Sequence, residues 1–176
     1  MSQVSLRHRL EYIAFRAATA ELLKLPPAAA MRTAEAAGRL AYRLLKRRTR
    51  VARENLQYAY PLMPAGDVEE LLKAVYANMF RLAGEVFYLR RLVKRSNWRE
   101  YVKIENGERA LDVFVEGRGG IMVSGHLGNW ELLSHVLPFV GLPSQVLVRP
   151  LDNPLLERYI LGVRETAAER VILKGG

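Results

Sequence analysis

The amino-acid sequence predicts an α/β fold, with an amino-terminal helical segment followed by a mostly parallel sheet flanked by helices. Three observations lead there. Up to about residue 98 the apolar residues recur at helical spacing; from Tyr101 onward short apolar runs alternate with helical stretches. Those later helical stretches are opened by Asn or Pro, and the first is closed by Gly, the residues that start and stop helices. The division into segments falls at 1–98 and 99–176.

In the first segment, Leu10 to Met31 is apolar but is interrupted by Arg16, Glu21 and Lys24 and broken by Pro26 and Pro27. A transmembrane helix needs about 18 or more uncharged apolar residues, and this run does not supply them. No small-residue cleavage site follows a basic start, so a signal peptide is not expected. The run reads equally as a core-facing helix or as an amphipathic helix lying on a bilayer. Pro27 suits a first helical turn, and Met31, Ala34, Ala37, Leu40, Ala41, Leu44 and Leu45 follow at helical spacing. Lys46, Arg47, Arg48, Arg50 and Arg53 form a basic cluster. Pro61 and Pro64 punctuate the chain, and Asp67 reads as the cap of a helix carrying Val68, Leu71, Leu72, Val75, Met79, Leu82 and Val86. Arg90, Arg91, Lys94, Arg95 and Arg99 make a second basic cluster.

In the second segment, Tyr101 to Glu105 alternates like a strand, and Asn106 to Gly117 reads as a helix with an Asn cap and a Gly stop. Gly120 to Ser124 is a short apolar strand, followed by a helix capped by Asn129. Ser144 to Arg149 is the next strand, Asn153 to Glu169 a helix with Pro154 in its first turn, and Arg170 to Lys174 a last strand. This alternation favours parallel pairing. A final parallel strand with no helix after it would leave an apolar face bare. The sheet is therefore expected to be incomplete at its carboxyl end, and the 176 residues to be the amino-terminal part of a longer domain.

Half of the residues are apolar, enough for a core. The absence of cysteine excludes disulfides and thiolate metal sites. With Lys and Arg at 27 against Asp and Glu at 18, the formal charge of +9 favours anionic partners. No internal repeat or low-complexity segment is present.

The chemistry concentrates in "IMVSGHLGNWELLSHV", Ile121 to Val136. His126 is placed in a loop at the carboxyl end of a strand, where open α/β sheets bind ligands. Glu131 is placed in the first turn of the next helix, where the dipole favours a carboxylate. Within one helix a five-residue offset would point the two side chains about 140° apart; with the turn between them they can converge. A carboxylate on one imidazole nitrogen fixes the tautomer and leaves the other free to take a proton, which makes a general base. Ser124 reads as a structural hydroxyl and His8 as solvated. His135 shares a helix face with Glu131, but no third metal ligand is visible.

"SGHLGNWELL" resembles the His-x4-Glu/Asp motif of the glycerolipid acyltransferase superfamily, and most closely the lipid A biosynthesis (lauroyl/myristoyl) acyltransferases. "RTRVARENLQYAYP" and "VLVRPLDNPLLERYILGVR" resemble further blocks of that family, in the same order along nearly the whole chain. The resemblance implies an O-acyltransferase with His126 as general base and Glu131 orienting it. Gly128 and Asn129 would line the acceptor pocket, and Arg149 would bind an anionic group, although a surface salt bridge explains Arg149 as well. Asp152, Asn153 and Arg164 also match the family pattern, while Asn153 before Pro154 is equally a helix cap. The donor would be a thioester on acyl carrier protein or coenzyme A, and the acceptor a hydroxyl of a lipid A precursor. The site would lie at the cytoplasmic face of the inner membrane, against an anionic surface, with no metal, no cofactor and no nucleic-acid partner. The family's chain continues well beyond this length, so the piece alone is expected to be inactive. The rivals are an acyltransferase acting on another glycolipid, such as a phosphatidylinositol mannoside, and a non-catalytic basic module that binds membrane or nucleic acid. The second leaves His126 and Glu131 without a role.

Overall fold

The structure, a computed structural model, describes residues 4–117, 119–142, 144–164 and 169–174. Along the chain run helices α1 (Leu6–Leu22), α2 (Pro27–Leu44), α3 (Lys46–Ala59), α4 (Ala65–Leu92), α5 (Gly107–Val115) and α6 (Trp130–Val140). Strand β1 (Ser144–Val148), helix α7 (Pro154–Arg164) and strand β2 (Glu169–Leu173) follow. The chain divides into two compact units, one of Ala18–Tyr88 and one of Met1–Ala17 with Leu89–Gly176. This partition runs differently from a single cut after residue 98.

The α/β reading holds only in part. β1 and β2 pair in parallel, from Ser144 opposite Glu169 to Val148 opposite Leu173, with α7 as the crossover between them. Tyr101 to Glu105 and Gly120 to Ser124, both expected as strands, are irregular. Their side-chain pattern suits a strand, but a strand also needs a hydrogen-bonded neighbour, and the described sheet has two strands only. Ile121 and Val123 accordingly stand 95% and 90% exposed. The expected helix from Asn153 to Glu169 is described as far as Arg164; 165–168 lie outside the described residues. Two caps also differ. α4 begins at Ala65, so Asp67 sits inside its first turn, and Asn106 precedes α5 in a left-handed conformation without a capping hydrogen bond.

In the unit of Ala18–Tyr88, α2 and α4 meet along small residues. Ala30, Ala34 and Gly38 are buried at four-residue steps on α2. A Cβ on Gly38 would lie 2.4 Å from the Tyr76 carbonyl oxygen and 2.8 Å from the Ala77 Cα, so only glycine permits this approach. Of the residues at helical spacing in this stretch, Ala34 is buried while Leu40, Leu44 and Leu45 are exposed.

One carboxylate ties the three helices together. Glu69 of α4 accepts hydrogen bonds from Arg53 of α3 through both Nε and Nη2 (the latter 3.1 Å) and from the Tyr42 hydroxyl of α2. The buried Thr49 hydroxyl donates to the Tyr42 carbonyl (3.0 Å) and is bonded to the Tyr76 hydroxyl (3.1 Å). The Arg53 guanidinium, and then the Tyr42 hydroxyl, hold the Glu69 carboxyl down to about 2. A carboxyl depressed in the folded state stabilises above its ordinary value and loses that contribution as pH falls through the folded one. Acid unfolding should therefore steepen between about 4.5 and about 2. Glu69→Gln should remove that dependence and lower stability at neutral pH, as followed by circular dichroism melts across this range; an unchanged acid limb in the variant would contradict the assignment.

In the other unit the core lies around Val93, Trp98 and Val136, packed by Leu89, Leu92, Val102, Leu132, Phe139 and Val140. Leu132, Val136, Phe139 and Val140 are one face of α6, so this helix is fixed by its apolar side while its first turn carries the motif.

Candidate active site

α6 begins where its sequence dictates. The Asn129 side chain accepts from the Leu132 amide (3.2 Å), satisfying one of the unpaired N–H groups of the first turn. The helix ends at Gly141, whose φ of 94° suits glycine. Ahead of it, Gly125 to Gly128 form an exposed loop, and Gly128 has a φ of 56° with open space around a would-be Cβ. The loop therefore turns sharply just before the cap and leaves the His126 ring at the surface.

His126 and Glu131 are not hydrogen-bonded to each other among the described residues, which corrects the expected direct pair. The His126 ring instead meets the Trp130 ring edge-on, with centroids 4.8 Å apart at 62°. The Trp130 Nε1–H donates to Glu131 Oε1 (3.1 Å). Arg164, the last residue of α7, donates from Nε to Glu131 Oε2 (2.9 Å) and from Nη2 to Oε1. A guanidinium fork matches both carboxylate oxygens at once and brings a full charge, so it outcompetes a single bond from an imidazole ring. The Glu131 side chain is only 11% exposed and that of Arg164 26%. The two charges are thus largely removed from water and each needs the other.

The remaining candidates fall as follows. Arg149 stands just past β1, exposed, and makes no hydrogen bond or ion pair among the described residues. Asn129 is half-buried and its carbonyl oxygen is used as the cap. Ser124 is exposed, with its hydroxyl 3.4 Å from the Gly125 carbonyl. His135 donates from Nε2 to the Val93 carbonyl (2.9 Å) and packs on Phe139, so it is a packing residue. No group of metal-ligating side chains is present among the described residues. Trp130, which joins His126 to Glu131, was missed by the sequence reading; its only signal was an aromatic residue wedged between the cap and the glutamate. Arg164 matches the family pattern in the sequence, but nothing adjacent pointed to Glu131, 33 positions away, as its partner.

Asn153 does the work of a cap and more. It is 5% exposed; its carbonyl oxygen accepts from the Leu155 (3.0 Å) and Leu156 (3.4 Å) amides, and its amide donates to the His8 carbonyl (2.9 Å) and Glu11 (3.0 Å). Together with Tyr159, whose ring meets Tyr12 and Phe15 edge-on, it fastens the first turns of α1 to α7. Asn153→Ala should cost about 1–3 kcal/mol, for a lost cap and buried groups left unpaired. Chemical denaturation measures this, and a loss below a few tenths would mean the tether is inert.

The family model for bacterial lipid A biosynthesis acyltransferases matches residues 2–176. Comparison with curated proteins and with solved structures gave no match.

Proposed function

We propose that this chain, which belongs to the bacterial lipid A biosynthesis acyltransferase family, transfers a fatty acyl group from a thioester to a hydroxyl of a lipid A precursor. The donor is acyl carrier protein or coenzyme A. One observation carries the reading: the family match covers the whole of the loop that presents His126 to solvent on the Trp130–Glu131–Arg164 support. A free imidazole nitrogen at the surface can take the acceptor's hydroxyl proton. The hydroxyl oxygen then bonds to the thioester carbonyl carbon, whose oxygen gains the negative charge. Collapse expels the thiolate, which takes up the proton that the imidazolium returns. In this reading the backbone N–H groups of Leu127 to Asn129 serve as the oxyanion donors, and Arg149, unpaired among the described residues, suits a phosphate of the acceptor. Glu131 serves as the anchor of this support.

His126→Ala in the full chain should lower thioester-dependent transfer by about a hundredfold or more, measured with radiolabelled acyl donor and lipid A precursor. Near-normal turnover would show that His126 is not the base.

The reading also places the protein at the cytoplasmic face of the inner membrane. No helix among the described residues is long and apolar enough to cross a bilayer. Two surfaces suit a bilayer interface. Leu6, Leu10 and Ile13 form an exposed stripe on α1 beside Arg7 and Arg9. At the joint of α2 and α3, exposed Leu44 and Leu45 adjoin Lys46, Arg47, Arg48 and Arg50. Each such cation near an anionic surface contributes roughly 1 kcal/mol, so the chain should float with anionic vesicles far better than with neutral ones. Equal recovery would remove the electrostatic attraction.

A further inference from the structure

We infer that Arg164 is a positioning residue of the proposed transfer, acting on His126 through Glu131 and Trp130. The inference rests on the reading of His126 as the base. It is carried by an unbroken series of contacts. The guanidinium of Arg164 occupies both oxygens of Glu131, one of those oxygens also accepts the indole N–H of Trp130, and the indole lies edge-on to the His126 ring.

Each contact removes a freedom that the base would otherwise keep. His126 sits in an exposed loop between two glycines, and the described structure gives its ring no hydrogen bond. Its fixed neighbour is the Trp130 ring. The orientation of an indole is set by packing and by where its N–H finds an acceptor; here that acceptor is Glu131. Glu131 is 11% exposed, so water does little to hold it and Arg164 does most. The fork geometry matters as well as the charge. Two parallel N–H···O bonds fix the plane of the carboxylate, which a single ammonium contact cannot do. Arg164 also closes α7, the crossover helix whose first turn is tied to α1 by Asn153, so the clamp is built on a helix held at its other end.

A structural ion pair alone would stabilise the fold without this directional coupling, and the two are separable. In the full chain, the indole ¹H–¹⁵N resonance of Trp130, assigned by loss in Trp130→Phe, should shift in Arg164→Lys and in Glu131→Gln. It should stay in place in Arg158→Lys, an exposed neighbour on the same helix. Arg164→Lys should lower kcat by about tenfold while KM for both substrates stays within about twofold, as expected of a misplaced base. In the Glu131→Gln background the same change should add less than about twofold, because the two residues act as one unit. Arg164→Gln combined with Glu131→Gln removes both charges, so no bare carboxylate is left to unfold the chain, and should match Glu131→Gln alone. An unmoved indole resonance, losses that multiply, or an effect confined to the acceptor's KM would each overturn the proposal; the last would make Arg164 a substrate-binding residue. Full turnover in His126→Ala would instead sink the base assignment, and the catalytic role of the clamp with it, while the resonance still reports whether the clamp exists.

Discussion

A carboxylate that water barely reaches must be held by something else. Glu131, at 11% side-chain exposure, is the point on which the geometry of the motif depends. Left alone in that position it would be a poorly solvated charge without a partner. Arg164 supplies that partner, matching its charge and its shape. Breaking a buried pair typically costs about 3–5 kcal/mol, whereas an exposed pair contributes about 0–1 kcal/mol. With both residues half-buried, the pair lies between these limits and links the end of α7 to the start of α6.

The same construction recurs in the unit of Ala18–Tyr88. Glu69 also gathers an arginine fork and one aromatic donor, Tyr42 in place of Trp130. The two differ in exposure. Glu69 is 32% exposed, and it links three helices, of which α2 brings only small residues, Ala30, Ala34 and Gly38, to its buried face. Small residues allow close backbone approach but bury little area, so α2 and α4 gain less from apolar burial than a leucine seam would give them. Directional bonds at Glu69 and Thr49 fix the register that such a seam leaves loose. Glu131 instead joins the end of α7 to the first turn of α6.

Local signals in the sequence were legible and distant ones were not. Pro27, Asn129 and Pro154 mark the starts of α2, α6 and α7 because caps and first turns are decided by a few adjacent residues. Helical spacing located α2, but spacing alone does not decide which side chains are buried, and Leu40, Leu44 and Leu45 are exposed. The seam is Ala30, Ala34 and Gly38, since closeness to Tyr76 and Ala77 outweighs side-chain size. Tyr101 to Glu105 and Gly120 to Ser124 have the composition of strands, but pairing is a property of the neighbour and no window of sequence contains it. The site divides in the same way. His126, Gly128 and Glu131 lie within one turn and one helix start and were readable as a group. The Arg164 contact depends on a crossover helix returning over the sheet, and adjacent chemistry gave no hint of it.

That division bears on how a loop this open could carry out acyl transfer. Attack on a thioester competes with water, and the loop around His126 is exposed on every residue from Ile121 to Gly128. Leu127, beside the histidine, is 86% exposed, and so nearly is the whole of Ile121 and Val123. The proposed base cannot exclude water with its own surroundings. The substrate proposed for it can: a fatty acyl chain laid across Leu127 and Val123 would bury apolar surface on both partners and drive water from the ring. Rigidity and openness then have separate sources in the proposed site: the Arg164–Glu131–Trp130 series holds the ring that His126 meets, and the proposed ligand brings the apolar cover.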